Sequence, residues 1–217
     1  MRRPFASNLI LIAALFIAAG PYVVRAAGTR LPDGSTAMVD LQRVYGESDA
    51  RKTADIHTGE YARLMGQHFD EIAAMQYLAT AEIRDYSDAL NADKPTPADM
   101  QKMATIKAEA AKRAAEAQAL ASKKDADLTP ADRKRIGELN SMQQQQAPVL
   151  GQLQRLYQQM VNEEDAKQTR LGMAEVRTVV AKMAKDQGIS QVFDATCLVY
   201  TPVDLTTAAL AKVAKKK

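Results

Sequence analysis

The sequence predicts a mostly α protein with a small β base: a long antiparallel coiled-coil helical hairpin standing on a short-strand oligomerisation domain. Three observations predict it. Near the start stands the strand-like run Ala37-Met38-Val39-Asp40-Leu41. Near the end stand Gly188-Ile189-Ser190-Gln191-Val192-Phe193-Asp194 and then Thr196-Cys197-Leu198-Val199-Tyr200. Between them lie roughly 140 residues whose apolar positions recur at steps of three and four, the spacing of one helix face. Short strands so far apart can pair only if the helical excursion folds back.

The first element, residues 1–26, reads as an export leader. Arg2 and Arg3 precede the apolar run Leu9–Ala19, and Val24-Arg25-Ala26-Ala27 offers a small-residue exit with cleavage after Ala26 or Ala27. The run of about eleven to sixteen residues is short of the roughly 20 that a membrane span needs. The alternative is an uncleaved anchor, with Tyr22-Val23-Val24 extending the run.

The leader also accounts for the formal charge of +3, through Arg2, Arg3 and Arg25, and its removal leaves 26 basic and 26 acidic residues. A neutral exported chain is a poor polyanion binder, so no nucleic-acid partner is expected. The charge is polarised along the chain. Residues 40–93 carry eleven acids against five bases, and residues 101–135 carry nine bases against five acids. Cys197 is the only cysteine, so no disulfide forms within the chain, and its strand-like surroundings predict a buried, inert thiol.

The base is expected from residues 27–48 and 188–217, and the helical arm from 49–187. From Asp49 to Leu90 one stripe runs through Tyr61, Met65, His68, Ile72, Met75, Ala79, Ile83, Tyr86 and Leu90, predicting one helix to about 91. Thr96-Pro97-Ala98-Asp99 and Thr129-Pro130-Ala131-Asp132 are the same tetrapeptide. Each offers a Thr cap, a Pro at the first helical position and an acid at the third, so each starts a helix. That gives segments of about 49–91, 97–124 and 130–187.

Three alternating directions would strand the last segment far from the base, so only one break is the reversal. A reversal near 126 sets about 72 outward residues against about 58, an arm of roughly 90–105 Å at 1.5 Å per residue. The tip is therefore placed at 123–129, and the break near 92–97 becomes an interruption in the outward arm. Pro148 lacks a backbone donor and predicts a matching kink or hinge on the return, loosened by the Gln143–Gln146 run and Gly151. The stripe thins at Asn162–Lys167, and Gly188 ends the last helix.

No catalytic or metal site is expected, and no cofactor. His57 and His68 are eleven residues apart, too far along a helix to share a metal ion, and no phosphate-binding glycine loop or nucleophile–base arrangement is present.

The two end motifs carry a further signal. Asp40, Arg43, Val44, Glu47 and Ser48 follow the first strand, and Gly188, Val192, Asp194, Leu198, Val199, Tyr200, Asp204, Leu205 and Thr206 mark the last 30 residues. In this order, around a long helical hairpin, they resemble the Skp/OmpH family of periplasmic chaperones over about residues 36–213. The resemblance implies a trimeric β-barrel base with helical arms and an ATP-independent holdase. Its clients would be unfolded outer-membrane proteins, bound in the periplasm between the arms. It implies an oligomer core of Val39, Leu41, Val192, Leu198 and Tyr200. A base of about 50 residues can scarcely bury a sufficient core alone, so self-association is expected on physical grounds as well.

Lys123, Lys124, Arg133, Lys134 and Arg135 read as a basic tip, either a weak contact for an anionic membrane surface or a solvated charge run. Met65, Met75, Met142 and Met160 are flexible thioethers that either face clients or fill the helix seam. The alternative function is an envelope coiled-coil scaffold or adaptor binding one defined partner, tethered to the inner membrane if the leader is retained.

Overall fold

The computed structural model describes residues 35–198 and 200–214. The leader, its cleavage site and Val199 of the expected last strand lie outside the described residues. The chain is mostly helical with a small sheet. Strand β1 (Ser35–Val39) pairs in parallel with β2 (Ile189–Asp194), Met38 opposite Phe193. On the other edge of β1, the Met38 N–H donates to Val203 O and the Leu205 N–H donates to Met38 O, both at 2.9 Å. Two strands close no barrel within one chain.

The end motifs are capping and core residues. Asp40 caps α1 (Leu41–Gly46) by accepting from the Arg43 N–H at 2.9 Å, and Ser48 caps α2 (Asp49–Ala73) by accepting from Arg51 at 3.1 Å. At the other end Asp204 accepts from the Thr206 N–H at 2.8 Å, where α6 (Thr206–Val213) begins. The two ends are tied directly, because the Asp40 N–H donates to Thr206 Oγ1 at 2.9 Å. Ala37, Val39, Val44, Tyr45, Val176, Val180, Met183, Ile189, Leu205 and Ala209 form one core beneath the sheet.

None of the described residues of the expected last strand lies in a strand. Asp194 Oδ1 accepts from the Thr196 N–H at 3.0 Å and from its hydroxyl at 2.9 Å, and this side-chain turn stops β2. Ala195–Cys197 is a 3₁₀ turn, so Cys197 is exposed, not buried.

The arm departs from a simple hairpin. The helix expected over 49–91 breaks at Ala74–Ala79, dividing it into α2 and α3 (Thr80–Leu90). Tyr77 at the break has φ 59°, a left-handed conformation unusual for a bulky residue. α4 (Pro97–Ala121) and α5 (Pro130–Asp186) start at the two Thr-Pro-Ala-Asp repeats, each a capping box with Asp at the third position. The loop between them, 122–129, lies at the far end of α5 from the base, although the single outward arm of about 72 residues from which its place was argued does not exist.

Partners along α5 show the path. From its start toward the base, Asp132 meets Lys123, Arg135 meets Glu116, Gln146 meets Met75 and Leu78, Tyr157 meets Ser87 and Asn91, and Thr169 meets Tyr45. α2 therefore runs outward, α3 runs back along it, α4 runs outward again and α5 returns. The break near 92–97 is a true reversal, not an interruption. The additional reversal at Tyr77 makes four passes instead of three, so the chain still ends at the base.

Where the four passes lie together, Met65, Ile72, Leu78, Ile83, Tyr86, Ile106, Ala110, Leu153 and Tyr157 form a second core in mid-arm. α5 runs unbroken for 57 residues, about 85 Å at 1.5 Å per residue. It continues through Pro148, so no break marks a hinge there. The glutamine run adds no looseness at Gln146, which is buried and bridges the Tyr77 turn. Its Nε2 donates to Met75 O at 2.6 Å and its Oε1 accepts from the Leu78 N–H at 3.4 Å.

Two substitutions check these joints. A β-carbon at Gly172 would lie 2.5 Å from Cε2 of Tyr45, whose ring is buried where α5 enters the base. Gly172→Ala is expected to destabilise the chain by about 1–3 kcal/mol despite its better helix propensity, read from urea midpoints. Gln146→Leu leaves the Met75 carbonyl and the Leu78 N–H without their partner and is expected to cost about 1–3 kcal/mol by the same assay. Gln145→Leu, one residue away and exposed, is the control and is expected to change little.

Candidate functional site

The base carries a groove of about 520 Å³ between the unpaired edge of β2 and the last turns of α5. Val39, Leu41, Val180, Ala184, Ile189 and Val192 line it, with Arg177 and Lys185 at the rim. Strand pairing explains the opening. Among the described residues β1 is bonded on both sides, but β2 is bonded only to β1, which leaves its other edge without a described strand partner. An exposed edge of this kind is a template for another strand.

Of the five expected oligomer-core residues, Val39, Leu41 and Val192 come together in this groove. Val39 is buried and also belongs to the chain's own core. Leu198 is half-buried outside the groove, and Tyr200 is 80% exposed beyond the Asp194 turn. Phe193, 39% exposed at the groove, was not singled out, although its place in the Val192-Phe193 pair gave a signal.

The tip bases are largely matched by acids. Lys123 pairs with Asp132 at 2.9 Å, Arg133 with Asp125 at 3.3 Å, and Lys134 approaches Glu138 at 4.0 Å. Arg135 binds Glu116 at 2.8 Å and Glu138 at 2.9 Å. Lys123 and the Thr129 cap together pull the Asp132 carboxyl down to about 2. Only Lys124 of the five has no acid partner among the described residues. Most of the positive charge read from sequence is thus neutralised locally.

The methionines divide. Met65 is buried in the mid-arm core, Met75 and Met160 pack against it half-buried, and Met142 is half-buried nearer the tip. The large apolar side chains that are exposed on the arm are instead Ile56, Leu64, Met100, Leu156 and Leu171. Periodicity could not separate them, because exposure depends on where α3 lies.

Polar contacts fasten α3. Arg113 of α4 grips Glu82 with two bonds, at 2.6 and 2.8 Å, and donates to the Tyr77 carbonyl at 2.9 Å. The Arg113 guanidinium holds the Glu82 carboxyl below its usual range, helped by the Ala79 N–H and opposed by burial. Tyr86 and Lys107 do the same for Glu71. Ser87, Asn91 and Tyr157 share hydrogen bonds at 3.0–3.2 Å, and His68 Nδ1 lies 3.0 Å from Asn91 Oδ1. Among the described residues no group of three or more His, Cys, Asp or Glu side chains is placed to hold a metal ion. No described helix is long and apolar enough to cross a membrane.

The chain matches no protein-family model and no curated protein at a significant level.

The Glu82–Arg113 pair makes a pH prediction. A depressed folded pKa contributes stability that is complete above the unfolded value of about 4.3 and is lost as pH falls through the folded value. Glu82→Gln is expected to cost about 1 kcal/mol at pH 7, with the gap to the parent chain closing below about pH 4. Urea melts at pH 7 and at successively lower pH check it; a gap that does not narrow as the pH falls would rule out the charge as its source.

Proposed function

We propose that this chain is an ATP-independent holdase of the bacterial periplasm that keeps unfolded outer-membrane proteins from aggregating, and that it works as a homotrimer. The observation that carries the reading is the open β2 edge beside an apolar groove. Such an edge invites pairing, and the groove's lining includes Val39, Leu41 and Val192, three of the five oligomer-core residues implied by the end motifs. Symmetric copies joined at this base would project arms of about 85 Å around a shared space, since the base and the tip lie at opposite ends of α5.

A holdase needs weak, repeated apolar contacts and no reaction chemistry. Leu64, Leu156, Leu171 and Met100 supply exposed apolar contacts along the arm, in place of the buried Met65. Contact between the tip and an anionic membrane draws less support, because four of its five bases face acids. One observation favours the scaffold reading: a filled mid-arm core makes the arm a spacer of fixed length.

Light scattering on residues 27–217, alone and with a urea-diluted outer-membrane barrel protein, tests the proposal. The expected result is a trimer-sized particle that suppresses aggregation at stoichiometric amounts without ATP. Val192→Arg is expected to reduce the particle to monomers and weaken the suppression while leaving the helical signal intact. A monomeric parent that leaves aggregation unchanged overturns the holdase and favours the adaptor.

A further inference from the structure

α3 is the shortest helix of the arm and the one most dependent on its neighbours. It has eleven residues, against 25 in α2, 25 in α4 and 57 in α5. An isolated helix shorter than about 12–15 residues is marginal in water, so α3 is ordered by what it packs on. Its entry is strained as well. Tyr77 holds φ 59°, a conformation that bulky residues seldom adopt. The Met75 and Tyr77 carbonyls and the Leu78 N–H at this turn are satisfied from α4 and α5, by Arg113 and Gln146.

Three carboxylates fasten α3 to α2 and α4. Glu71 of α2 accepts from the Tyr86 hydroxyl of α3 at 2.6 Å and from Lys107 of α4 at 2.9 Å. Glu82 of α3 accepts from both terminal nitrogens of Arg113 and, at 2.8 Å, from the Ala79 N–H. Asp85 of α3 lies 2.9 Å from Lys102 of α4. The facing side of α5 adds no charge. Val149, Gln152, Leu153 and Leu156 line a hollow against α3, and Tyr157 bonds Ser87 and Asn91. His68 of α2 meets Asn91, Arg84 and Asp88 of α3 itself are exposed, and Glu109 and Arg135 act on Arg113 from farther away. Tyr86 and Lys107 hold the Glu71 carboxyl below its usual range, and Arg113 does the same for Glu82. Such groups support the closed arrangement above their unfolded value of about 4.3, and that support is lost as pH falls through the folded values.

We propose that α3 is an acid-released strap, which leaves α2 and α4 as pH falls while the base and the α2–α5 pair stay folded. Two features localise the release. The base core shares no residue with the mid-arm core. α2 also packs on α5 directly, with Met65, Phe69, Tyr157 and Val161 around one hollow. α3 has no such second support. With its three carboxylate fasteners protonated it keeps only its apolar underside and its uncharged hydrogen bonds. Its departure uncovers Met65, Ile72, Ile106 and Leu153, which share a core with its Ile83 and Tyr86. The arm thus holds apolar surface in reserve and shows it in acid. The strap does not rest on the chaperone reading, since a chain that suppresses no aggregation can still release α3.

Hydrogen–deuterium exchange of the full chain, corrected for the intrinsic pH dependence of exchange, reads the strap directly. From pH 7 to about pH 3.5 the protection of residues 78–91 is expected to fall about tenfold or more, while β1, β2 and the basal half of α5 change little. A triple variant, Glu71→Gln with Glu82→Gln and Asp85→Asn, is expected to show the lowered protection already at pH 7 and little further change with pH. Tyr77→Gly keeps every carboxylate and takes a positive φ without steric cost, so its release is expected to move to lower pH. Circular dichroism confirms that each variant folds, and if the triple variant does not, an unshifted profile in Tyr77→Gly overturns the strap. Protection of 78–91 that stays constant down to about pH 3.5 overturns it too. So does loss of protection in the base and α5 at the same pH, which is global acid unfolding. A triple variant that repeats the parent's pH profile assigns the release to other groups, and the proposal falls.

Discussion

Everything in this chain depends on the parallel pairing of β1 with β2. Neighbouring strands that run the same way cannot be joined by a hairpin, and the connection must leave one end of the sheet and return to the other. Here that connection is some 150 residues, mostly helical, and because both its ends lie at the base the number of long passes must be even. Two passes would satisfy the rule and four do. The hydrogen bond from the Asp40 N–H to Thr206 Oγ1, together with Met38 bonded to Val203 and Leu205, closes the base once the excursion has come home. The arm's internal architecture is free to vary only in ways that keep this closure.

The three reversals are built on different physics. Those at 92–97 and 122–129 are written locally, in Thr caps whose hydroxyls and Asp partners satisfy the first helical N–H groups. The one at 74–79 contains no Gly, Pro or Asn, and Tyr77 takes a left-handed conformation without help from its neighbours. Its exposed backbone groups are satisfied from a distance, the Met75 carbonyl and Leu78 N–H by Gln146, the Tyr77 carbonyl by Arg113. Such a turn exists only after α4 and α5 have packed against it. It follows that the mid-arm core is cooperative: removing Gln146 or Arg113 loosens both the turn and the helices that it brings together.

That contrast explains what was legible in the sequence. The helix starts at Pro97 and Pro130, the tip between them, the end of α5 at Gly188 and the Asp40 and Ser48 caps all follow from short-range chemistry, and all are present. The turn at Tyr77 was hidden, because the stripe Ile72, Met75, Ala79, Ile83 keeps helical spacing straight across it. Both sides of the break face the same core, so periodicity has no reason to change. Gln146 and Pro148 misled for a related reason. A glutamine among glutamines looks solvated until a backbone carbonyl is placed beside it, and one missing donor does not break a helix held on both sides. At the last strand a local signal was present but outvoted. Asp194 followed by Thr196 can form a side-chain turn, and it does so although Leu198-Val199-Tyr200 is a strand-like run.

Charge pairing separates the surfaces by what they are free to do. At the tip, Asp125, Asp132, Glu116 and Glu138 absorb most of the cations that composition had gathered there, and exposed pairs of this kind contribute little to binding. At the base and along the arm the opposite holds. Arg177, Lys185 and Arg170 have no acid partner among the described residues, and each stands beside apolar side chains left open. A cation bordering an apolar groove adds direction to a contact that hydrophobic burial makes favourable, which neither feature supplies alone. Regional net charge pointed outward to the tip, but the bases that border the open basal groove are Arg177 and Lys185, near the end of α5. The apolar groove and the cations bordering it thus lie together at the end of the longest helix, next to the strand edge that the helix delivers.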